Sequence, residues 1–143
     1  MIVLDTNVLS ELMRPQGSGV VGEWVGQQVS SELYITAITA AEILYGIALL
    51  PQGKRREALS EAAQLMFRED FAGRILPFDE AAAVAFASIA AERRRSGTPI
   101  SQADAQIVSI CRVHGAAIAT RNVDDFAGCG IAIVNPWGVD ERF

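Results

Sequence analysis

The chain has 143 residues, half of them apolar and a fifth charged, and a formal net charge of −5. That length suits one globular domain, 1–143, which buries roughly 68–70% of its unfolded surface and needs neither disulfides nor a structural metal. The profile is globular rather than disordered, and the acidic balance excludes a broad, non-specific nucleic-acid binder, though not a nuclease whose phosphate contact runs through a metal.

Taken in chain order, Ile2-Val3-Leu4 is a wholly apolar run that ends on the polar turn Asp5-Thr6-Asn7, and it predicts a first buried strand. A short helix is expected over 23–29 and a second strand over 33–36. Ala40, Ile43, Leu44 and Ile47 then fall on one helical face. Another helix is expected over 54–67, and Ile75-Leu76, before Pro77, is a short fifth strand candidate. Asp79 opens an Ala-rich helix in which Ala82, Phe86 and Ile89 share a face. Ser101, after Gly97-Thr98-Pro99, opens the next, with a stripe of Ala103, Ile107, Ile110, Cys111 and His114. Apolar runs over 116–119 and 131–134 complete the strands. Strands alternating with helices predict an α/β fold, a three-layer α/β/α sandwich with a mostly parallel central sheet of four to five strands and right-handed crossovers. The most apolar stretch, 35–50, is interrupted by Glu42 and is short for a membrane span. With no basic leader in Met1-Ile2-Val3-Leu4-Asp5, a cytoplasmic protein with no membrane contact is expected.

Ligands of such sheets bind beyond the carboxyl ends of the strands, so the polar residues placed there carry the chemistry. Asp5 follows the first strand, and Asn122 and Asp124 follow the strand ending near Ala119. Glu42 and Asp104 are each expected in the first turn of a helix that reaches the same rim. Each acid also has a plain structural reading. Thr39-x-x-Glu42 reads as a capping box, Ser101-x-x-Asp104 as nearly the same pattern, and Asp5 as a cap for the helix opening at Thr6. Together they are less easily dismissed, because acids converging on one rim repel each other unless a cation sits among them. Hard oxygen donors of this kind suit Mg²⁺ or Mn²⁺.

Competing site motifs are absent. The chain has no Gly-x-Gly-x-x-Gly after a strand and no P-loop lysine. Its single histidine, His114, lies near a helix C-terminus and is expected to pack or to complement the helix dipole rather than act as a base. Cys111 and Cys129 form no paired metal motif and are expected to be buried thiols of a reducing cytosol. Arg93-Arg94-Arg95 reads as a solvated helix end, whereas Arg121 flanks Asn122 on the rim. Gly46, one turn beyond Glu42, costs about 1 kcal/mol against Ala in a helix interior, which suggests close helix packing or, as a second reading, room for substrate.

The order of Leu-Asp-Thr-Asn-Val at 4–8, Ala-Ala-Glu-Ile-x-x-Gly at 40–46, Ala-Asp-Ala at 103–105 and Ala-Thr-Arg-Asn-Val-Asp-Asp-Phe at 119–126 resembles the PIN-domain toxins of the VapC family. Residues 71–80 and the closing Asn135-Pro136-Trp137 are most similar to its FitB-like branch. The resemblance covers essentially the whole chain. It implies the toxin of a type II toxin–antitoxin system, an Mg²⁺- or Mn²⁺-dependent endoribonuclease acting on RNA, homodimeric as a rule and held inactive by an antitoxin protein. By its motifs Asp5, Glu42 and Asp104 match the family's metal-binding acids, and Asn122 stands at a fourth catalytic position that is often Asp. Thr6 and Thr120 match hydroxyl residues that orient carboxylates. Asn122, which brings no charge, motivates an alternative, a catalytically silent PIN-like module acting with a DNA-binding antitoxin. An aspartyl-phosphate domain of the receiver or phosphatase kind is a weaker third reading, since Asp5-Thr6-Asn7 lacks the second Asp such a phosphatase needs.

Overall fold

A computed structural model describes residues 1–17 and 19–138. Five short strands form its centre: β1 (Ile2–Leu4), β2 (Leu33–Thr36), β3 (Ile75–Leu76), β4 (Ala117–Ala119) and β5 (Ile133–Val134). They pair in the order β3-β2-β1-β4-β5, and each neighbouring pair is parallel. The helices are α1 (Thr6–Met13), α2 (Gly19–Gly26), α3 (Ala37–Ala48), α4 (Lys54–Leu65), α5 (Glu80–Arg95), α6 (Gln102–His114) and α7 (Val123–Phe126).

The period of two along a strand explains the layers. In β1, Val3 joins one buried cluster while Leu4 joins the other. Ile118 and Ala119 divide in the same way along β4. One cluster carries Ile89, Ile107, Ile110 and Phe126 from α5, α6 and α7. The opposite cluster carries Val8, Leu9, Val21, Ile43 and Ala63 from α1 to α4. Strands apolar on both faces are therefore sandwiched between helical layers, and the expected α/β/α architecture is what the chain adopts.

Local differences from the sequence reading have identifiable causes. The second helix runs Gly19–Gly26 rather than 23–29, because a separate 3₁₀ turn at Ser30–Glu32 takes up the following chain. The fourth ends at Leu65, where the backbone widens into a π turn, Met66–Asp70. Leu44, assigned to the buried stripe of α3, is 42% exposed, while Ile43 and Ile47 are buried. His114 is exposed in the last turn of α6, where a cation suits the dipole. That helix ends on Gly115 in the left-handed region, φ 63°, a conformation that favours glycine.

Strand order places the site. The chain runs outward from β1 through β2 to β3, then returns to β4 on the other side of β1. The carboxyl ends of β1 and β4 thus flank the point where the order reverses, which is where open α/β sheets form their ligand crevice.

Candidate active site

Asp5 is the first residue after β1, and it is only 4% exposed. The parallel register that pairs Leu4 with Ala119 brings Asp5 beside Thr120, the residue following β4. Thr120 Oγ1 donates to Asp5 Oδ2 at 2.7 Å, and Asn7 Nδ2 donates to the same oxygen at 3.3 Å. Asp5 Oδ1 accepts from the Thr6 amide at 2.8 Å, so Asp5 does cap α1 as well as face the rim. A carboxylate has about four lone-pair positions, so these three bonds orient the group and leave one position on Oδ1 for a ligand.

Glu42 is not where the capping-box reading put it. The N-cap of α3 is Thr36, whose hydroxyl oxygen accepts from the Thr39 amide at 3.1 Å. The helix therefore begins three residues earlier than a Thr39 cap requires, and Glu42 lies in its second turn. Freed from capping, Glu42 Oε1 accepts from Thr6 Oγ1 at 2.5 Å. Thr6 Oγ1 also lies 3.0 Å from Thr39 Oγ1, so the Thr6 hydroxyl sits between Glu42 and the first turn of α3. Asp104 sits in the first turn of α6, where its amide donates to the Ser101 N-cap at 3.2 Å.

The carboxylates sense one another. Burial pushes the Asp5 carboxyl above its ordinary value; the Thr120 and Thr6 bonds oppose that shift, and the charges of Asp104 and Glu42 add to it. Asp104 is raised too, first by burial, against its bond to Ser101, and then by the charges of Asp125 and Glu42. Asp5, Glu42 and Asp104, drawn from three different elements, thus share one electrostatic site. Burial, with the Asp5 charge behind it, also pushes the Cys111 thiol up to about 12, which leaves it an inert core group.

Among the described residues no three His, Cys, Asp or Glu side chains close into a preformed metal cage. The donors nevertheless fit a hydrated hard cation. Mg²⁺ keeps several waters and takes one or two carboxylates, and Asp5 offers an oriented oxygen with a free position. Asn122 follows Thr120 at the rim: its amide donates to Thr120 Oγ1 at 3.0 Å, and its side chain is exposed. Asp124 is exposed on α7.

Three participants were not singled out as such in the sequence. Asn7 ties Asp5 to the chain leaving the neighbouring strand β4, since its Oδ1 also accepts from the Arg121 amide at 3.2 Å. Asp125 adds a negative charge next to Asp104. Arg93, read as a solvated helix end, donates to the Asp125 carbonyl at 2.9 Å and to the Thr98 carbonyl at 2.7 Å, which pins α7 to the end of α5. Asn7 was visible in the polar turn after β1; nothing local in the sequence marks the roles of Asp125 and Arg93. Beside Thr6 and Glu42 opens an apolar groove of about 430 Å³ that continues past Gly46 and Ile47 to Leu59. A Cβ at Gly46 would meet nothing within 4 Å, so close helix packing does not explain this glycine.

The PIN domain family model matches residues 2–128. This chain belongs to the PIN-domain family, among the VapC/FitB toxins. It is 40% identical to Toxin FitB of Neisseria gonorrhoeae over 137 residues, covering 96% of this chain and 99% of that protein. It is equally similar, at 40% over 137 residues, to the VapC ribonuclease Y4jK of Sinorhizobium fredii, covering 96% of this chain and 98% of that one. A solved structure of FitAB bound to an IR36 DNA fragment superimposes with a TM-score of 0.92 at 38% identity, covering 100% of both chains. In this PIN fold the acids stand on the rim of β1, α3 and α6, and no helix among the described residues is long and apolar enough to cross a membrane.

Proposed function

We propose that this PIN-domain chain is the toxin of a type II toxin–antitoxin system and hydrolyses RNA phosphodiester bonds in the cytoplasm, as a single nuclease domain that works as a homodimer. The observation that supports this best is the buried, hydrogen-bonded Asp5 carboxylate, electrostatically coupled to Glu42 and Asp104 at the sheet's crevice, in a chain akin to a named ribonuclease over nearly its whole length.

Asp5, Glu42 and Asp104 are the residues that would hold Mg²⁺ or Mn²⁺, directly or through water. Such an ion, when bound, lowers the pKa of a coordinated water and neutralises charge developing on the phosphate. The chain's own residues do the rest. Thr120 and Asn7 keep Asp5 from rotating, and Thr6 holds Glu42 against α1. Glu42, exposed to solvent, binds the ion or orients the attacking water. Asn122 helps to position that water with its amide. The apolar groove beside Glu42 seats the antitoxin tail, and a basic residue of that tail reaches the acids, for which a guanidinium fork is best suited.

Asp5→Asn, Glu42→Gln and Asp104→Asn each remove charge with little change of shape. Each is expected to abolish RNA cleavage, and because the acids act as a unit, double variants should be little worse than single ones. Sequencing of RNA ends after brief induction, with and without the adjacent gene, is the decisive experiment. Growth arrest with new RNA ends, relieved by a short neighbouring protein that co-purifies, is the expected result. Full cleavage by purified Asp104→Asn protein, or harmless expression with no new ends, overturns the reading.

A further inference from the structure

Arg121 stands between Thr120, which hydrogen-bonds Asp5, and the rim residue Asn122, and it is exposed. Its backbone is linked to Asp5 through one side chain. Asn7 accepts from the Arg121 amide at 3.2 Å and donates to Asp5 at 3.3 Å. The guanidinium carbon lies 4.9 Å from the centroid of the Trp137 ring. That indole is itself anchored: the Trp137 amide donates to Asn135 Oδ1 at 2.9 Å, and the side chain packs partly buried against the core cluster that includes Leu4 and Leu9.

The consequence lies in what Arg121 does not do. Among the described residues no acid pairs with it. The aromatic face holds the guanidinium by its charge and engages no hydrogen-bond acceptor, so the N–H donors stay unspent. The planar guanidinium so placed is preorganised for an oxyanion that accepts two parallel N–H bonds, and binding then loses little side-chain freedom. It also offers an acidic chain, net charge −5, a positive group one residue from Thr120, which holds Asp5.

We propose that Arg121, held over Trp137, is a phosphate-binding residue of this site and takes a backbone phosphate of single-stranded RNA next to the one that is cleaved. This rests on the ribonuclease reading above. Arg121 positions the strand and does not touch the reacting atoms.

The test uses a fluorescein-labelled single-stranded RNA oligonucleotide carrying the most strongly mapped cleavage site. Binding is measured against salt in an Asp104→Asn background, which spares the RNA, and cleavage kinetics are measured in the otherwise unaltered protein. One lost phosphate contact makes the slope of log affinity on log salt shallower by about 0.7, equivalent to about fivefold in affinity near 0.1 M salt. Arg121→Gln should show both changes and raise KM more than it lowers kcat. Arg121→Lys should restore the slope but not the full affinity, because it keeps the charge and loses the fork. Trp137→Leu, which removes the aromatic face, should weaken binding, and Trp137→Phe, which keeps one, should weaken it less. An unchanged slope and KM in Arg121→Gln overturns the proposal, as does a drop in melting temperature and kcat with no change in slope, which marks a structural role. Normal RNA binding with loss of antitoxin binding also overturns it and assigns the residue to the partner interface. If the unaltered protein produces no mapped site and neither binds nor cleaves RNA, the ribonuclease reading itself fails, an outcome separate from failure of Arg121 alone.

Discussion

Asp5 is where burial and charge conflict most directly. Its carboxyl is raised by burial and by Asp104 and Glu42, so in the absence of divalent ions the folded state binds its proton more tightly than the unfolded state does. By linkage, the Asp5 contribution to stability then falls as pH rises from the ordinary value of 3.8 through the raised folded value, and is recovered on acidification. Melting curves in a chelator should show this as a difference between the unaltered protein and Asp5→Asn that widens in favour of the variant toward neutral pH; a flat difference contradicts it. Thr120→Val tests the opposing contribution. It removes the hydroxyl that donates to Asp5 and accepts from the Asn122 amide, at a cost of about 1–3 kcal/mol in urea unfolding. It also pushes the Asp5 carboxyl further up, so RNA cleavage should fall with it.

At the scale of elements, α3 sets the geometry of the rim. Because Thr36 rather than Thr39 caps it, Glu42 sits in the second turn, and its carboxylate meets the Thr6 hydroxyl of α1. Gly46 follows one turn later, facing the groove with open space where a Cβ would be. Gly46→Ala should therefore stabilise the protein by about 0.5–1 kcal/mol, since nothing in the folded chain resists the methyl group and the unfolded chain loses freedom. Thermal or urea unfolding reads this directly, and destabilisation would restore the packing explanation. A stabilised variant that binds its antitoxin less well would mean the glycine is kept for the groove at the expense of the helix. The π turn after α4 and the Arg93 bonds to α7 are further devices at this scale, each setting where an element ends.

For the whole molecule, strand order decides which residues meet. Asp5, Glu42 and Asp104 come from distant parts of the chain and repel each other in the folded state. An ion that binds only that state should relieve the repulsion and stabilise it by mass action, about 2.7 kcal/mol at 100 times its dissociation constant. For a chain of this size that is roughly 5–10 °C in melting temperature. The rise on adding Mg²⁺ or Mn²⁺ should vanish in Asp5→Asn, and a melting curve indifferent to both ions would count against the metal reading. Asn122→Asp adds a charge at the rim and should tighten the ion's binding, measured by the same shift.

Much of the architecture was legible because its signals are local. Apolar runs bounded by turn residues mark buried strands, and a Ser or Asp before an apolar stripe marks a helix start; Asp79 and Ser101 do cap α5 and α6. The acids could be named from their places after strands and near helix starts, since chain direction alone puts those places on one rim of a parallel sheet. Which cap operates was not legible, because Thr36 and Thr39 offer the same hydroxyl chemistry and only the end of β2 selects between them. The openness around Gly46 and the closeness of Asp125 to Asp104 depend on how helices lie against one another. The bonds from Thr120 to Asp5 and from Asn7 to Thr120 join residues far apart in the chain, through the register of β1 with β4. By itself, then, the sequence determined the elements and the kind of residue at each strand end, because propensity, periodicity and capping act within a few residues. Only the tertiary structure decided which donors hold each carboxylate and which ring Arg121 stacks on, because hydrogen bonds and burial depend on distances that no local spacing sets.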